Sequence, residues 1–235
     1  MGHDTMDLEQ LARYLRRDAR EVARLVDRGQ VPGRKVGGSW RFSRQEVQHW
    51  LENQLAGYSD AELRQLEHHP VAVSEPLLAN LIHEACVAVP LRAATRSSVI
   101  RELVNLAEQS WQVYDPQIVM DAVQAREDLA TTALENGVAV PHLHRPIAGA
   151  IGESLIAFGR TTSGIPMGAP DGGLTDLFFL VLCQDSELHL RVLARLARLF
   201  LRPGFLDQLR AEPTGHAARQ LIVQAEAELL GLAQK

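Results

Sequence analysis

Apolar positions repeat at helical spacing early in the chain, then shift to shorter periods. In residues 6–17, MDLEQLARYLRR, Leu8, Leu11, Ala12 and Leu15 share one helical face. Asp18 is placed to cap a second helix, and Glu21 three residues later completes a capping box. That helix runs through Val22, Leu25 and Val26 and stops at Gly29. Two short helices with a tight connection form a helix-turn-helix pattern. The next stretch, VPGRKVGGSWRF, has Pro-Gly and Gly-Gly breaks around short segments containing Val36, Trp40 and Phe42, which predicts a hairpin. Ser43 then caps a third helix, RQEVQHWLENQ, with Val47, Trp50 and Leu51 turned inward.

The pattern weakens over residues 55–72, LAGYSDAELRQLEHHPVA, where Gly57, Ser59 and Asp60 interrupt it and Pro70 closes it. A linker containing a short helix is expected there. From residue 74 a larger body begins. SEPLLANLI predicts a short helix with Pro76 in its first turn, and ACVAVPLRA a strand. Ile100, Leu103, Val104 and Ala107 mark one helix; Asp115-Pro116 opens another through Ile118, Val119, Ala122 and Val123 to Arg126. Val138-Ala139-Val140, SLIAFGRTT and LFFLVLCQ read as strands. The long helix SELHLRVLARLARLFL, with Leu190, Leu193, Leu196, Ala197 and Phe200 inward, and two further helical pieces end the order. The body is therefore expected to be α/β, a mixed sheet covered by helices, preceded by a small winged helix-turn-helix domain.

Charge divides along the same line. Residues 1–54 carry ten Lys/Arg against eight Asp/Glu, whereas the remainder carries fourteen against twenty-one. A basic head on an acidic body implies different partners for each. Two cysteines in apolar runs, Cys86 and Cys183, suit buried thiols and a cytoplasmic setting better than a disulfide framework. The polar start MGHDTMDLEQ is unlike a secretory signal, and no apolar run approaches membrane-spanning length, so membrane insertion is not expected.

Candidate chemistry is concentrated in Arg126–Pro146, REDLATTALENGVAVPHLHRP. Pro141 cannot donate to a ladder, so the chain is expected to leave the sheet there and present His142 at its edge. His144 and Arg145 follow at once, and Arg126 with Thr131-Thr132 supplies a guanidinium and hydroxyls, groups that hold phosphoryl oxygens. A histidine after a strand is more often structural than catalytic. Here the larger pattern adds information: Arg-Glu-x-Leu-x-x-Thr followed by Gly-x-Ala-x-Pro-His resembles the active-site segment of the fructose/mannitol-type enzyme IIA family, including its nitrogen-regulatory branch.

The resemblance, over about residues 73–235, implies that His142 carries a phosphoryl group, with Arg126 and the Thr132 hydroxyl stabilising its oxygens. It places the family's second histidine at His189, beside the first imidazole, and a recurring Ala-Pro-Asp-Gly segment at residues 169–172, where Asp171 shapes a turn. No metal, nucleotide or other cofactor is needed for such a transfer. The segment departs from the family's usual glycines at Ala133 and Glu135. It also has Leu143 where a small residue is usual, a bulk expected to narrow a carrier's approach.

Residues 6–54 look like the small winged-helix DNA-binding domain of excisionases and relatives of the mercury-resistance regulators, most tellingly over Gly29 to Phe42. Arg20 and Arg24 would then lie on one face of the recognition helix, with Arg34, Lys35 and Arg41 on the hairpin near phosphates. Trp40 and Phe42 are expected to pack inward. The resulting expectation has three parts: a head at 1–54, a linker at 55–72 and a phosphoacceptor body at 73–235. Its partners would be a histidine-phosphocarrier protein, duplex DNA and a second copy of the chain.

Two other readings stand beside this one. The protein could be a sugar-system phosphocarrier whose head only docks onto protein, or it could chelate a metal through His142, His144 and His189. His68-His69 offers a further, weaker metal pair without a matching cysteine or second spaced pair.

Overall fold

The structure, a computed structural model, describes residues 5–67 and 75–232. His68 and His69, the weaker metal pair, fall outside them, as do Pro70 and Ser74. The chain forms two compact units, residues 1–68 and 69–235.

The first unit begins with β1 (Thr5–Met6), then α1 (Leu8–Leu15) and α2 (Ala19–Asp27). Asp7 caps α1 in a full capping box with Gln10. The α1–α2 turn passes through Arg16 in the left-handed region at φ 54°. Asp18 caps α2 by accepting from the Arg20 amide at 2.9 Å. Glu21 does not complete the expected box. Its carboxylate is drawn instead to Arg17, 3.1 Å away, whose guanidinium also reaches Glu62 at 3.3 Å and lies over the Tyr58 ring. The hairpin is β2 (Arg34–Val36) and β3 (Ser39–Ser43), turned at Gly37 and Gly38 with φ 59° and 81°. Two consecutive positive φ values belong to the type I′ turn, and a side chain at either position would strain it.

The short β1 adds antiparallel to β3, giving a sheet in the order β1-β3-β2. Phe42 is fully buried, and its ring faces Trp40 at 6.0 Å. Ser43 caps α3 (Arg44–Gln54), which buries Val47 and Leu51. After a single 3-10 turn, α4 (Asp60–Glu67) packs Leu63 and Leu66 inward. The short helix expected between head and body thus lies within the first compact unit.

The second unit holds α5 (Leu77–Leu81), β4 (Val87–Ala88), α6 (Arg96–Glu108), α7 (Pro116–Leu129), β5 (Val138–Ala139), β6 (Leu155–Ile165), β7 (Thr175–Leu182), α8 (Ser186–Phe200), α9 (Phe205–Ala211) and α10 (Gly215–Leu229). Its sheet runs β4-β6-β7-β5, with β6 and β7 antiparallel and the two short edge strands parallel to their neighbours. Leu177 to Leu182 are all buried, as a strand covered on both faces requires. Phe178, Leu180 and Leu182 join Val99, Ile100, Leu103, Val119 and Val123 of α6 and α7 in one cluster. Phe158, Phe179 and Phe200 pack in series with tilted rings, centroids 4.8 and 5.3 Å apart, bringing in α8.

Ile118 departs from the expected inward face: it is exposed, while Val119 and Val123 are buried. On α8 the apolar surface extends almost all round, to Val192, Ala194 and Leu199, because other helices cover its outer side.

One buried polar contact joins the two ends of this unit. The Glu226 carboxylate of α10 accepts the backbone N–H groups of Leu77, Leu78 and Ala79 at 2.9, 2.8 and 2.9 Å, capping α5. Arg195 of α8 donates to it at 2.6 Å, so the charge is paired where no water reaches.

Candidate functional site

Parallel pairing of β5 with β7 brings their C-terminal ends to the same sheet edge, so the residues following each strand meet there. His142 follows β5. His189 follows β7 on the first turn of α8, a helix capped by Asp185, which accepts from the Leu188 amide at 2.7 Å. The expectation that the chain leaves the sheet at Pro141 is corrected. Proline lacks only the donor, and its carbonyl accepts from Val181 N–H at 2.9 Å; His142 then forms a parallel bridge with Val181. The backbone of His142 is therefore held by the sheet, and the residue is 4% exposed.

Three predicted residues come together. Arg126, in the last turn of α7, donates from Nε to His142 Nε2 at 3.1 Å. The Val140 carbonyl lies 2.7 Å from His142 Nδ1. A carbonyl only accepts, so Nδ1 carries the proton and Nε2 presents its lone pair. The ring of His189, also 4% exposed, stands 4.9 Å from that of His142, centroid to centroid, at 52°. Arg126 itself is 2% exposed and is steadied by donating from Nη1 to the Ala130 carbonyl at 3.0 Å.

Thr132 is nearby in the chain, but its hydroxyl is otherwise engaged. It donates to Glu127 at 2.5 Å, so here that proton is held by a carboxylate and not turned to the imidazole. Glu127, 1% exposed, has no place in the sequence-based site. It also accepts the Thr132 amide at 3.1 Å, lies 3.1 Å from the Thr131 hydroxyl and sits 3.5 Å from Arg96. Its signal was its position next to Arg126 and five residues before Thr132, whose amide lies just past the end of α7.

The departures from the family pattern fit this geometry. Leu143 is 4% exposed and belongs to the core with Val99 and Phe178, so its bulk turns inward. Ala133 forms a tight antiparallel bridge with Ala139, and Glu135 lies exposed on the turn, where Asn136 and Gly137 both have positive φ. Asp171 accepts from the Gly173 amide at 2.8 Å, shaping a turn. His144 and Arg145 line an open groove of about 570 Å³ with Arg126, Leu129 and Ile147. Cys183, at the end of β7, has its thiol pushed up to about 12, chiefly by burial and then by Asp185.

In the first unit Arg20, Arg24, Arg34, Lys35 and Arg41 are all exposed. Arg28, four residues past Arg24 and also exposed, extends the α2 row by one more turn, a continuation the same spacing would have found. Arg34 is engaged by Glu46 at 3.1 Å, and the Lys35 ammonium rests over Trp40 at 5.2 Å. Trp40 is half-buried and Phe42 buried, as expected.

Residues 80–225 match the family model described as the phosphoenolpyruvate-dependent sugar phosphotransferase system, EIIA 2, and residues 5–55 match a helix-turn-helix domain. Over 140 residues the chain is 28% identical to a nitrogen regulatory protein of Pseudomonas aeruginosa, covering 59% of this chain and 89% of that one. It is 30% identical over 118 residues to a fructose-specific EIIA component of Haloferax volcanii, covering 49% and 75%. Among solved structures, the nitrogen regulatory protein IIA-Ntr of Neisseria meningitidis superposes with a TM-score of 0.57 at 25% identity, over 62% of this chain and 99% of that one.

Proposed function

Because the chain belongs to the EIIA 2 family of the phosphoenolpyruvate-dependent sugar phosphotransferase system, we propose that it is a phosphorylation-dependent regulator. Its body takes a phosphoryl group on His142 from a histidine-phosphocarrier protein, and its helix-turn-helix head binds duplex DNA. The observation that carries this reading is the pair of bonds on one imidazole, Arg126 to Nε2 and Nδ1 to Val140. They leave Nε2 as the nucleophile.

In the transfer, the Nε2 lone pair attacks phosphorus. The donor's phosphorus–nitrogen bond breaks, and its imidazole leaves with the electron pair. The proton stays on Nδ1 throughout, donated to the Val140 carbonyl. Arg126 N–H groups, displaced from the lone pair, turn to the phosphoryl oxygens, where a fixed guanidinium stabilises spreading negative charge. His189 adds a hydrogen bond to the same group. Little covalent work is asked of the protein beyond this positioning.

A second reading has its own support. The relatives include a fructose-specific EIIA component, so the body could pass its phosphate onward in a sugar system with the head as a docking module. Incubation with a phosphorylated carrier protein, followed by detection of acid-labile phosphate, tests the phosphoacceptor reading. Labelling that His142→Ala leaves undiminished would overturn it. Gel-shift selection on genomic fragments separates the two readings of the head.

A further inference from the structure

Arg126 and Glu127 are consecutive in α7, yet they act on opposite nitrogens of the same imidazole. Arg126 reaches Nε2 directly. The route from Glu127 has three links. Its buried carboxylate accepts the amide of Thr132 at 3.1 and 3.2 Å from its two oxygens and the hydroxyl at 2.5 Å. The Thr132 carbonyl in turn accepts Val140 N–H at 3.2 Å, within a short antiparallel pairing that also joins Leu134 N–H to Val138 O at 2.8 Å. The Val140 carbonyl then accepts a hydrogen bond from His142 Nδ1–H at 2.7 Å.

Each link has a physical reason to persist. Glu127 is a buried charge, so losing its donors carries a desolvation cost, and Arg96 at 3.5 Å completes its neutralisation. Val140 is 7% exposed, which leaves its peptide little water to turn towards. An isolated imidazole exchanges between two tautomers, and the bond made by one nitrogen decides what the other presents. The orientation of the Val140 peptide therefore decides where the lone pair of His142 sits.

We propose that Glu127 is a positioning residue for His142. Through Thr132 and Val140 it holds the imidazole in the tautomer protonated at Nδ1, leaving Nε2 as the reacting atom. Thr132 serves this link with its hydroxyl. The inference rests on the reading of His142 as the nucleophile, but its central readout does not require any phosphoryl donor.

The test uses the full chain labelled with ¹⁵N at histidine and long-range proton–nitrogen spectra of the His142 ring. Wild type should show one tautomer, protonated at Nδ1. Glu127→Gln and Thr132→Val should each show a mixture, and Thr132→Ser, which keeps the hydroxyl, should restore the single form. With a phosphorylated carrier as donor, both disrupting variants should lose roughly tenfold in the maximal transfer rate, with little change in the carrier concentration giving half that rate. If Glu127→Gln does not fold, Thr132→Val decides alone. A single unchanged tautomer in Thr132→Val overturns the inference, even where labelling proceeds normally. Wild type that no carrier labels would overturn the phosphoacceptor reading, while the tautomer measurement would still judge the role of Glu127.

Discussion

The imidazoles of His142 and His189 face each other at 4.9 Å, although each is delivered by a different strand end. Their meeting follows from the parallel register of β5 and β7, and it separates the roles of the two rings. His142 is fixed at both nitrogens by Val140 and Arg126, whereas His189 rides on the first turn of a capped helix. Replacing His189 with Ala should therefore slow phosphoryl transfer without abolishing it, by roughly 10²–10⁴-fold if it supplies acid–base or oxyanion assistance. Rapid-quench measurement of acid-labile phosphate would check this. An unchanged rate would make His189 structural.

Arg126→Lys is not a conservative change here. The guanidinium donates to His142 from one nitrogen and to the Ala130 carbonyl from another, a fork that an ammonium cannot reproduce. Transfer should fall by roughly 10²-fold or more, with folding intact by circular dichroism. Transfer at the wild-type rate would remove Arg126 from the site.

For the head, Arg24→Ala should cost about 1–3 kcal/mol on a preferred sequence if that side chain reads a base. Lys35→Ala should weaken all sequences alike and reduce the salt slope by about one. A dimer on half-sites about one helical turn apart is expected, because one such head covers little DNA. Fluorescence anisotropy across a salt series checks all three. Affinity indifferent to salt would favour the protein-docking reading.

Phosphorylation of His142 should lower DNA affinity. By analogy with other phosphorylated side chains it adds close to two negative charges to the polypeptide that carries the basic head. Screening confines direct repulsion to about 8 Å at physiological salt. Operator affinity of both forms should be measured at two salt concentrations. Equal values at both would show the two activities to be independent. A difference that survives high salt would point to a change in packing or in dimer interface.

The two thiols supply a pH prediction. Burial raises Cys86 to about 11 and Cys183 to about 12, against an ordinary value of 9.0. The folded chain then holds protons that the unfolded chain releases, so these groups favour folding below pH 9 and that contribution is lost as pH rises beyond it. Native protein at pH 8 should resist a thiol reagent, and denatured protein should react at both cysteines. Rapid labelling in the native state would contradict the burial of both.

Legibility in the sequence followed the physics of each element. The helices α1, α3, α6 and α8 were readable because an apolar face repeats within one segment. The two-residue strands β1, β4 and β5 were not anticipated at those lengths, since their extent depends on pairing partners far along the chain. Arg126 and His142 could be named from a motif, but their direct bond depends on how α7 ends against the sheet. Glu127 and Glu226 escaped notice for a common reason. An acidic residue in a helix reads as a solvated face, and only tertiary structure shows that its donors are buried backbone amides.

The Glu226 contact also bears on how the protein emerges from the ribosome. The first helix of the body, α5, takes its cap from α10, about 150 residues later in the chain. During synthesis the head, a compact unit of its own, emerges first and can fold while translation continues. The amides of Leu77, Leu78 and Ala79 must wait, hydrated, until Glu226 has left the exit tunnel. Ribosome-bound chains stalled before that point should be cleaved by protease near α5, and chains released beyond it should be protected. Assembly of the phosphoacceptor unit is thereby a late event, closed by a single carboxylate.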